Sequence, residues 1–458
     1  MKKFLTIIAL AAALGGAYTA HAESAKPAKG SITPEMLGKI RAGWQGTAAD
    51  KALRNAVNTT AISVLTANAE NAAMIDTKFS DRVKTKAVTD QKRSGRCWLF
   101  TGLNVLRADA ISRLELPADF QFSQNYCFFW DQLEKANLFL QGVIDTYDKP
   151  MDDRTVDWLF SHPISDGGTY TGVANLVSKY GLVPAKEMPE TYCSDNTTDL
   201  RAHLSTLLRQ DGLELRALRK ARGDVQTRKT EMLAEVYHIL ALTLGVPPSE
   251  FEWKGKTVTP LEFYRENFTA DLEKDYVMVM NDPSHEYGKV YEIEYDRHLY
   301  DGQNWLYLNL PIEPVEQMAI ESIRGGEAMY FSCDVAKFLD RKKGVADISN
   351  FDYGSLLGVN FTMDKKQRVL THASGSSHAM TLVAMDVKDG KPCKWMVENS
   401  WGKSWGYEGN LIMTEEWFRE YMFRLVVNRK YIPEDILKLL DQKPVQLPCW
   451  DPMFLGEE

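Results

Sequence analysis

The sequence predicts an α+β protein organised around one large folded region. Helical periodicities crowd its first half, β-branched and aromatic runs crowd its second half, and no internal repeat divides it. The chain has 458 residues, 44% hydrophobic and 25% charged, an ordinary globular composition. That length buries a sizeable core, as one domain with insertions or as two smaller ones.

In chain order, residues 1–22 read as a secretory signal. Lys2 and Lys3 precede an apolar run from Phe4 to Ala17, and Ala20-His21-Ala22 makes a small-x-small cleavage site. The run falls short of the roughly 20 residues a membrane span needs. The mature protein is therefore expected to be exported, periplasmic or secreted, with no membrane span after cleavage. Residues 23–74 form an N-terminal extension that opens on a Lys/Ser/Pro leader and turns helical from about 34. The main domain covers 75–453. From Cys97 onward Leu103, Leu106, Ala110, Ile111 and Leu114 share one helical face, with Arg107, Asp109 and Arg113 placed elsewhere. Residues 198 to about 250 read as a helical insertion stopped by Pro247 and Pro248. Val277–Met280, Trp305–Leu308, Met380–Val387, Lys394–Val397 and Leu425–Val427 read as strands. Residues 454–458 form a short tail.

Charge and cysteine usage narrow the function. A net charge of −8 makes nucleic acid an unlikely partner. The basic cluster Arg216, Arg219, Lys220, Arg222, Arg228 and Lys229 lacks interleaved aromatics and reads as a solvated helix face or a subunit contact. The six cysteines are scattered without a CxxC pair, so no structural metal is expected, and their disulfide pairing is open. Cys127, in Tyr126-Cys127-Phe128-Phe129-Trp130, reads as a buried thiol. HExxH and GxSxG are both absent, and no cofactor is called for.

Three segments carry chemistry. Gln91-Lys92-Arg93-Ser94-Gly95-Arg96-Cys97-Trp98 puts a thiol at a helix start, where the positive end of the macrodipole favours the thiolate. The Gln91 amide and the Cys97 backbone N–H can together hold an oxyanion. Gly375-Ser376-Ser377-His378-Ala379 opens a strand on a histidine, and Glu398-Asn399-Ser400-Trp401-Gly402 closes the next strand on an asparagine. Across a hairpin, Asn399 can orient His378 and leave its other nitrogen for Cys97, the arrangement of nucleophile, base and orienter.

Together these segments resemble the papain-like cysteine peptidases: Gln six residues before Cys-Trp, His-Ala on a strand, and Asn-Ser-Trp-Gly followed by Trp-Gly. The resemblance implies a papain-like fold, with a helical left part and an antiparallel, barrel-like right part. It implies Cys97, His378, Asn399 and Gln91 as catalytic residues and Gly168 and Trp401 as substrate-site residues. Two departures stand out. Ser94 and Ser165 occupy the positions of both halves of a disulfide of that family. The chain between Cys97 and His378 is also far longer than the usual gap of about 130–150 residues. The longer gap points to the bleomycin hydrolase and aminopeptidase C branch. The stretches Ser123–Asp131, Lys179–Pro184, Pro260–Tyr264 and Leu447–Met453 are similar to that branch as well.

The branch implies a cysteine aminopeptidase acting on peptide substrates, assembled as a homo-oligomer (a hexamer in the branch). It also implies a C-terminal arm in or near the cleft, whose end here carries Glu458 as the group facing a substrate ammonium. A papain-like endopeptidase is the enzymatic alternative, and it requires an open cleft. A non-catalytic peptide- or nucleic-acid-binding protein on the same fold is the alternative of another class, and the intact Gln, Cys, His and Asn argue against it. His372, without a following strand, is an ordinary polar histidine.

Overall fold

The computed structural model describes residues 28–44, 46–71, 76–85, 88–268 and 270–454. The signal segment and Glu458 lie outside the described residues. The described chain falls into two units that divide between Leu65 and Thr66.

The first unit holds three helices, Pro34–Ala42, Ala48–Thr59 and Ile62–Leu65, and none of their residues is buried. Local chemistry sets their starts. Thr33 Oγ1 accepts the Met36 N–H, and Thr47 with Asp50 forms a reciprocal capping box.

The second unit begins at Thr66, earlier than the residue 75 expected from sequence. Residues 66–71 belong to it because the Asn68 N–H donates to Asn350 O at 2.9 Å and Asn71 Nδ2 donates to Asp347 Oδ2 at 3.0 Å. Its helical half is built on Cys97–Arg113, Gln124–Asp145, Arg154–Ser161 and Tyr170–Tyr180. Helix Cys97–Arg113 is central, packing on Gln124–Asp145, on Tyr170–Tyr180 and on two strands. Most of it is therefore buried, and Arg107, off the apolar face, lies in the interior at 1% exposure while Asp109 and Arg113 near its end are exposed. Gly102 permits the close approach of Tyr170–Tyr180, since a Cβ there would stand 2.5 Å from Val173 Cγ2.

The insertion is a helical hairpin, Thr198–Lys220 and Val225–Leu244, and both arms pack on Gln124–Asp145. Gly245, at φ +92°, ends its second helix two residues before Pro247. The basic cluster is partly structural. Arg216 is buried and donates to Thr146 O at 2.7 Å and to Lys149 O at 2.5 Å. Arg228 is ion-paired with Glu214 at 2.7 Å and with Glu231 at 3.1 Å.

The other half is a sheet of 12 strands among the described residues. Its centre runs Tyr276–Met280, Met422–Asn428, Met329–Cys333, His378–Lys388, Lys391–Glu398 and Asn410–Thr414, all antiparallel. Parallel pairs occur towards the edges: Tyr276–Met280 with Leu306–Asn309, Lys289–Ile293 with Val445–Leu447, and Asn410–Thr414 with Val345–Ala346. The first eight residues of His378–Lys388 are buried without alternation. Helix Cys97–Arg113 and helix Ile312–Arg324 both pack against this strand.

Among the described residues no helix is long and apolar enough to cross a membrane. The six cysteines form no disulfide, and Cys127 is buried as expected, its thiol pushed up to about 12 by burial.

Candidate active site

Cys97 is the first residue of its helix. The N-cap is Arg96, whose side chain makes no capping hydrogen bond, so no side chain competes at the positive end of the macrodipole. The Arg96 guanidinium instead lies buried, 2.8 Å from Glu190 Oε2 and over the rings of Phe100 and Phe128.

The loop before Cys97 is folded on itself. Lys92, at φ +54°, turns the chain so that Ser94 Oγ donates to Gln91 O and Gln91 Nε2 donates to Ser94 O, both at 2.6 Å. The Gln91 N–H donates to Ser400 O at 2.8 Å, and Ser400 Oγ donates to Gln91 Oε1 at 2.5 Å. Every Gln91 polar group but one amide hydrogen is thus engaged within this loop or with Ser400, and that hydrogen is what an oxyanion would receive.

Where the resemblance led to a missing disulfide, the structure has a polar cross-link. Asp166 Oδ2 accepts the Gly95 N–H at 2.6 Å and also the Thr197 hydroxyl. Trp98 Nε1 donates to Asp166 O at 2.9 Å. Loop 165–168 is therefore tied to the segment carrying Cys97 without sulfur.

His378 opens its strand opposite Cys333, and Asn399 follows the end of the partner strand Lys391–Glu398. The His378 Nε2···Asn399 Oδ1 distance is 2.8 Å. The same oxygen accepts the Ser400 backbone N–H at 2.8 Å, which fixes the orientation of the amide. An oxygen can only accept here, so Nε2 carries the proton and Nδ1 is left basic. Trp401 stacks on the imidazole at 4.7 Å and covers this bond. Burial pushes His378 down to about 4, against the Asn399 hydrogen bond, so its charged form requires a nearby anion. A thiolate is such an anion, and the helix starting at Cys97 packs against the strand starting at His378.

Gly168 lacks a Cβ for a reason inside the protein. A Cβ there would stand 2.2 Å from His298 Cε1 and 2.9 Å from Trp98 Cδ2. Behind the loop, His298 Nδ1 is 2.5 Å from Asp131 Oδ1, and Lys135 Nζ is 3.0 Å from Asp131 Oδ2 and donates to Gly167 O at 2.5 Å. Burial works against the Asp131 anion, but Lys135 and His298 outweigh it and hold its carboxyl low.

The C-terminal arm runs across this region. Pro452 O would lie 3.7 Å from a Cβ on Gly375, in the loop leading to His378. The Phe454 ring is 5.6 Å from Trp158 and lines a cavity of about 80 Å³ with Gly167, Gly168, Leu138 and His298.

Sequence reasoning assigned nothing to Ser400, Asp166, His298 or the buried Arg107–Glu398 pair at 3.9 Å. Ser400 and Asp166 stood inside recognised segments. His298 carried no local signal.

This fold and this constellation define a papain-like cysteine peptidase. The chain belongs to the peptidase C1-like family, which matches it over residues 31–454. It is 37% identical to an aminopeptidase C of Lactobacillus delbrueckii subsp. lactis, covering 87% of this chain and 92% of that protein. It is 38% identical to human bleomycin hydrolase, covering 80% of this chain and 86% of that protein. The crystal structure of PepW from Lactobacillus rhamnosis superposes with a TM-score of 0.88 at 35% identity, covering 93% of this chain and 99% of that one. The chain is thus a cysteine aminopeptidase of the aminopeptidase C and bleomycin hydrolase group.

Proposed function

We propose that the protein removes amino-terminal residues from peptides through an acyl-enzyme on Cys97. The Cys97 thiolate attacks the scissile carbonyl carbon, and the oxygen becomes an oxyanion held by the Cys97 N–H and the remaining Gln91 amide hydrogen. His378 Nδ1, protonated in the ion pair, gives its proton to the leaving amine. It then takes a proton from the water that attacks the thioester, and the thiolate is released. Asn399 keeps the ring in the productive tautomer, and Trp401 shields their bond. The backbone edge at Gly168 is the place for a substrate strand to pair.

The observation that carries the aminopeptidase reading is the course of the arm. Pro452 lies against the loop leading to His378, and Phe454 lines the same cavity as Gly167 and Gly168. An arm across that end leaves little room for residues preceding the scissile bond, where an endopeptidase needs an open groove. The last residues, Glu458 included, supply carboxylates for the substrate ammonium. Export rests on the basic start, apolar run and cleavage site of residues 1–22. Assembly as a closed homo-oligomer, a hexamer by resemblance, gives the exposed Met36, Leu37, Ile40 and Trp44 a partner surface. A monomeric mass by light scattering at micromolar concentration would reject that assembly.

The test compares amino-acid amides with free and acetylated amines, in the intact protein and in a variant lacking 454–458. The intact enzyme should strongly prefer the free amine, and Cys97→Ala should be inactive on both. Loss of the tail should narrow the preference by about 10- to 150-fold, the worth of a partly desolvated ammonium–carboxylate contact. Equal turnover of blocked and free substrates by the intact enzyme would favour the endopeptidase.

A further inference from the structure

The arm is fastened by a charge cluster away from the catalytic residues. After strand Val445–Leu447 the chain turns, the Asp451 N–H donating to Pro448 O at 2.9 Å. Asp451 Oδ1 accepts the Met453 N–H at 2.9 Å, and Oδ2 stands 3.6 Å from His285 Nε2. The other nitrogen of that ring, Nδ1, is 2.7 Å from Asp282 Oδ2. Asp282 is fully buried, and its Oδ1 accepts the Ser284 N–H at 2.8 Å and the Ser284 hydroxyl at 2.6 Å.

A neutral imidazole has one N–H for these two carboxylates, and an imidazolium has two. Only the protonated ring therefore hydrogen-bonds Asp282 of the sheet and still turns a charged N–H towards Asp451 of the arm, an ion-pair contact at 3.6 Å. Arg424 is another cation at the arm, and its charge also acts on Asp451. Arg424, stacked on Trp305 at 3.5 Å, gives Nη2 to Met453 O at 2.5 Å. Lys365 gives Nζ to Asn281 Oδ1 at 2.7 Å and to Met422 O at 2.5 Å. The phenols of Tyr287, Tyr291 and Tyr307, on the neighbouring segments, stay neutral because burial raises them.

We propose that His285 is a positioning residue of this aminopeptidase: its imidazolium latches Asp451 of the arm to Asp282 of the sheet, and losing that proton loosens the arm and admits amino-blocked peptides. This rests on the arm being the selector. The sign follows from the partners. The hydrogen bond to Asp282 raises His285 although burial opposes it, while burial raises Asp451. The latch is therefore complete below the ordinary histidine value and is lost as pH rises through the raised one. Burial brings Lys365 down to about 7, so its charge also fades with rising pH and must be separated by mutation.

The experiment follows kcat/KM for an N-acetyl dipeptide amide, which has no titrating group, between about pH 5.5 and 8.5. Dividing the full-length value by that of the 454–458 deletion cancels the pH dependence of the catalytic pair. In the natural protein the quotient should be low in acid and should rise with pH. In His285→Gln it should be about ten-fold higher at the acid end and flat, a factor equal to one unit of pKa. Asp451→Asn, which keeps the acceptor for Met453, should behave in the same way, and in both variants a free amino-acid amide should show a higher KM with a smaller change in kcat. A His285→Gln enzyme that keeps the natural level and slope overturns the latch and assigns any pH dependence to Lys365. A deletion that leaves hydrolysis of the blocked substrate unchanged overturns the arm as selector, and the latch with it.

Discussion

Ser400 Oγ donates to Gln91 Oε1 at 2.5 Å, so the residue after Asn399 holds the amide six positions before Cys97. Its backbone N–H meanwhile donates to Asn399 Oδ1 at 2.8 Å. One serine thereby sets the spacing between the orienter of the base and the proposed oxyanion donor. Gln91→Ala should lower kcat roughly 10- to 1,000-fold with little change in KM. Ser400→Ala should fall between that variant and the natural enzyme, and the double variant should be no slower than Gln91→Ala alone. Additive losses in steady-state kinetics would show that Ser400 acts by another route.

The low intrinsic basicity of His378 makes a second expectation. Burial holds the ring down to about 4, so it stays charged at higher pH only while a thiolate faces it. Replacing Cys97 by Ser removes that anion and should lower the apparent His378 titration by more than a unit, towards about 4. NMR of imidazole-labelled protein checks this. A titration unchanged between the two proteins would mean that Cys97 and His378 are not an ion pair. Activity itself should collapse in His378→Ala and fall less in Asn399→Ala, because Asn399 only orients the ring.

The parts legible in the sequence were those whose signal is local. Cys97, His378 and Asn399 stand in short flanked motifs, and strands such as Tyr276–Met280 carry runs of β-branched and long apolar residues. Periodicity put Arg107 off the apolar face with Asp109 and Arg113, but only those two reach solvent, while Arg107 faces the strand carrying Glu398. The partners of His298 and His285 were invisible for a different reason. Asp131 lies 167 positions from His298, and Asp451 lies on the arm, so only the fold brings each pair together. Ser94 and Ser165 read as a lost cross-link, yet Asp166, beside one of them, supplies a hydrogen-bonded one to Gly95.

Arg107 and Glu398 form a buried pair between the helix of Cys97 and the strand leading to Asn399. Burial lowers the Arg107 guanidinium, and the Glu398 charge opposes that shift. Thr85 Oγ1 donates to Glu398 Oε2 at 3.2 Å and accepts from Arg107 Nη2 at 3.2 Å. Removing one charge strands the other, so Glu398→Ala should lose about 3–5 kcal/mol of unfolding free energy. Removing Glu35, whose pair with Lys39 is exposed, should cost less than about 1 kcal/mol. Urea denaturation of the two variants distinguishes these outcomes, and equal losses would contradict the buried pairing.

Gly168 offers the most direct separation of packing from substrate binding. An alanine there would put its Cβ 2.2 Å from His298 Cε1 and 2.6 Å from Nε2, a clash with a ring that Asp131 holds in place. Gly168→Ala should therefore lose about 1–3 kcal/mol by overpacking. His298→Ala empties the obstructed space, at its own cost in stability. Adding Gly168→Ala to that variant should cost clearly less than in the natural protein, with the Trp98 Cδ2 contact at 2.9 Å remaining, a coupling of about 1 kcal/mol or more between the two positions. Denaturant midpoints of the four proteins in the cycle give the coupling directly. Full additivity would mean that the glycine is needed for its backbone conformation or for substrate approach, and that the imidazole behind it is not what excludes a side chain.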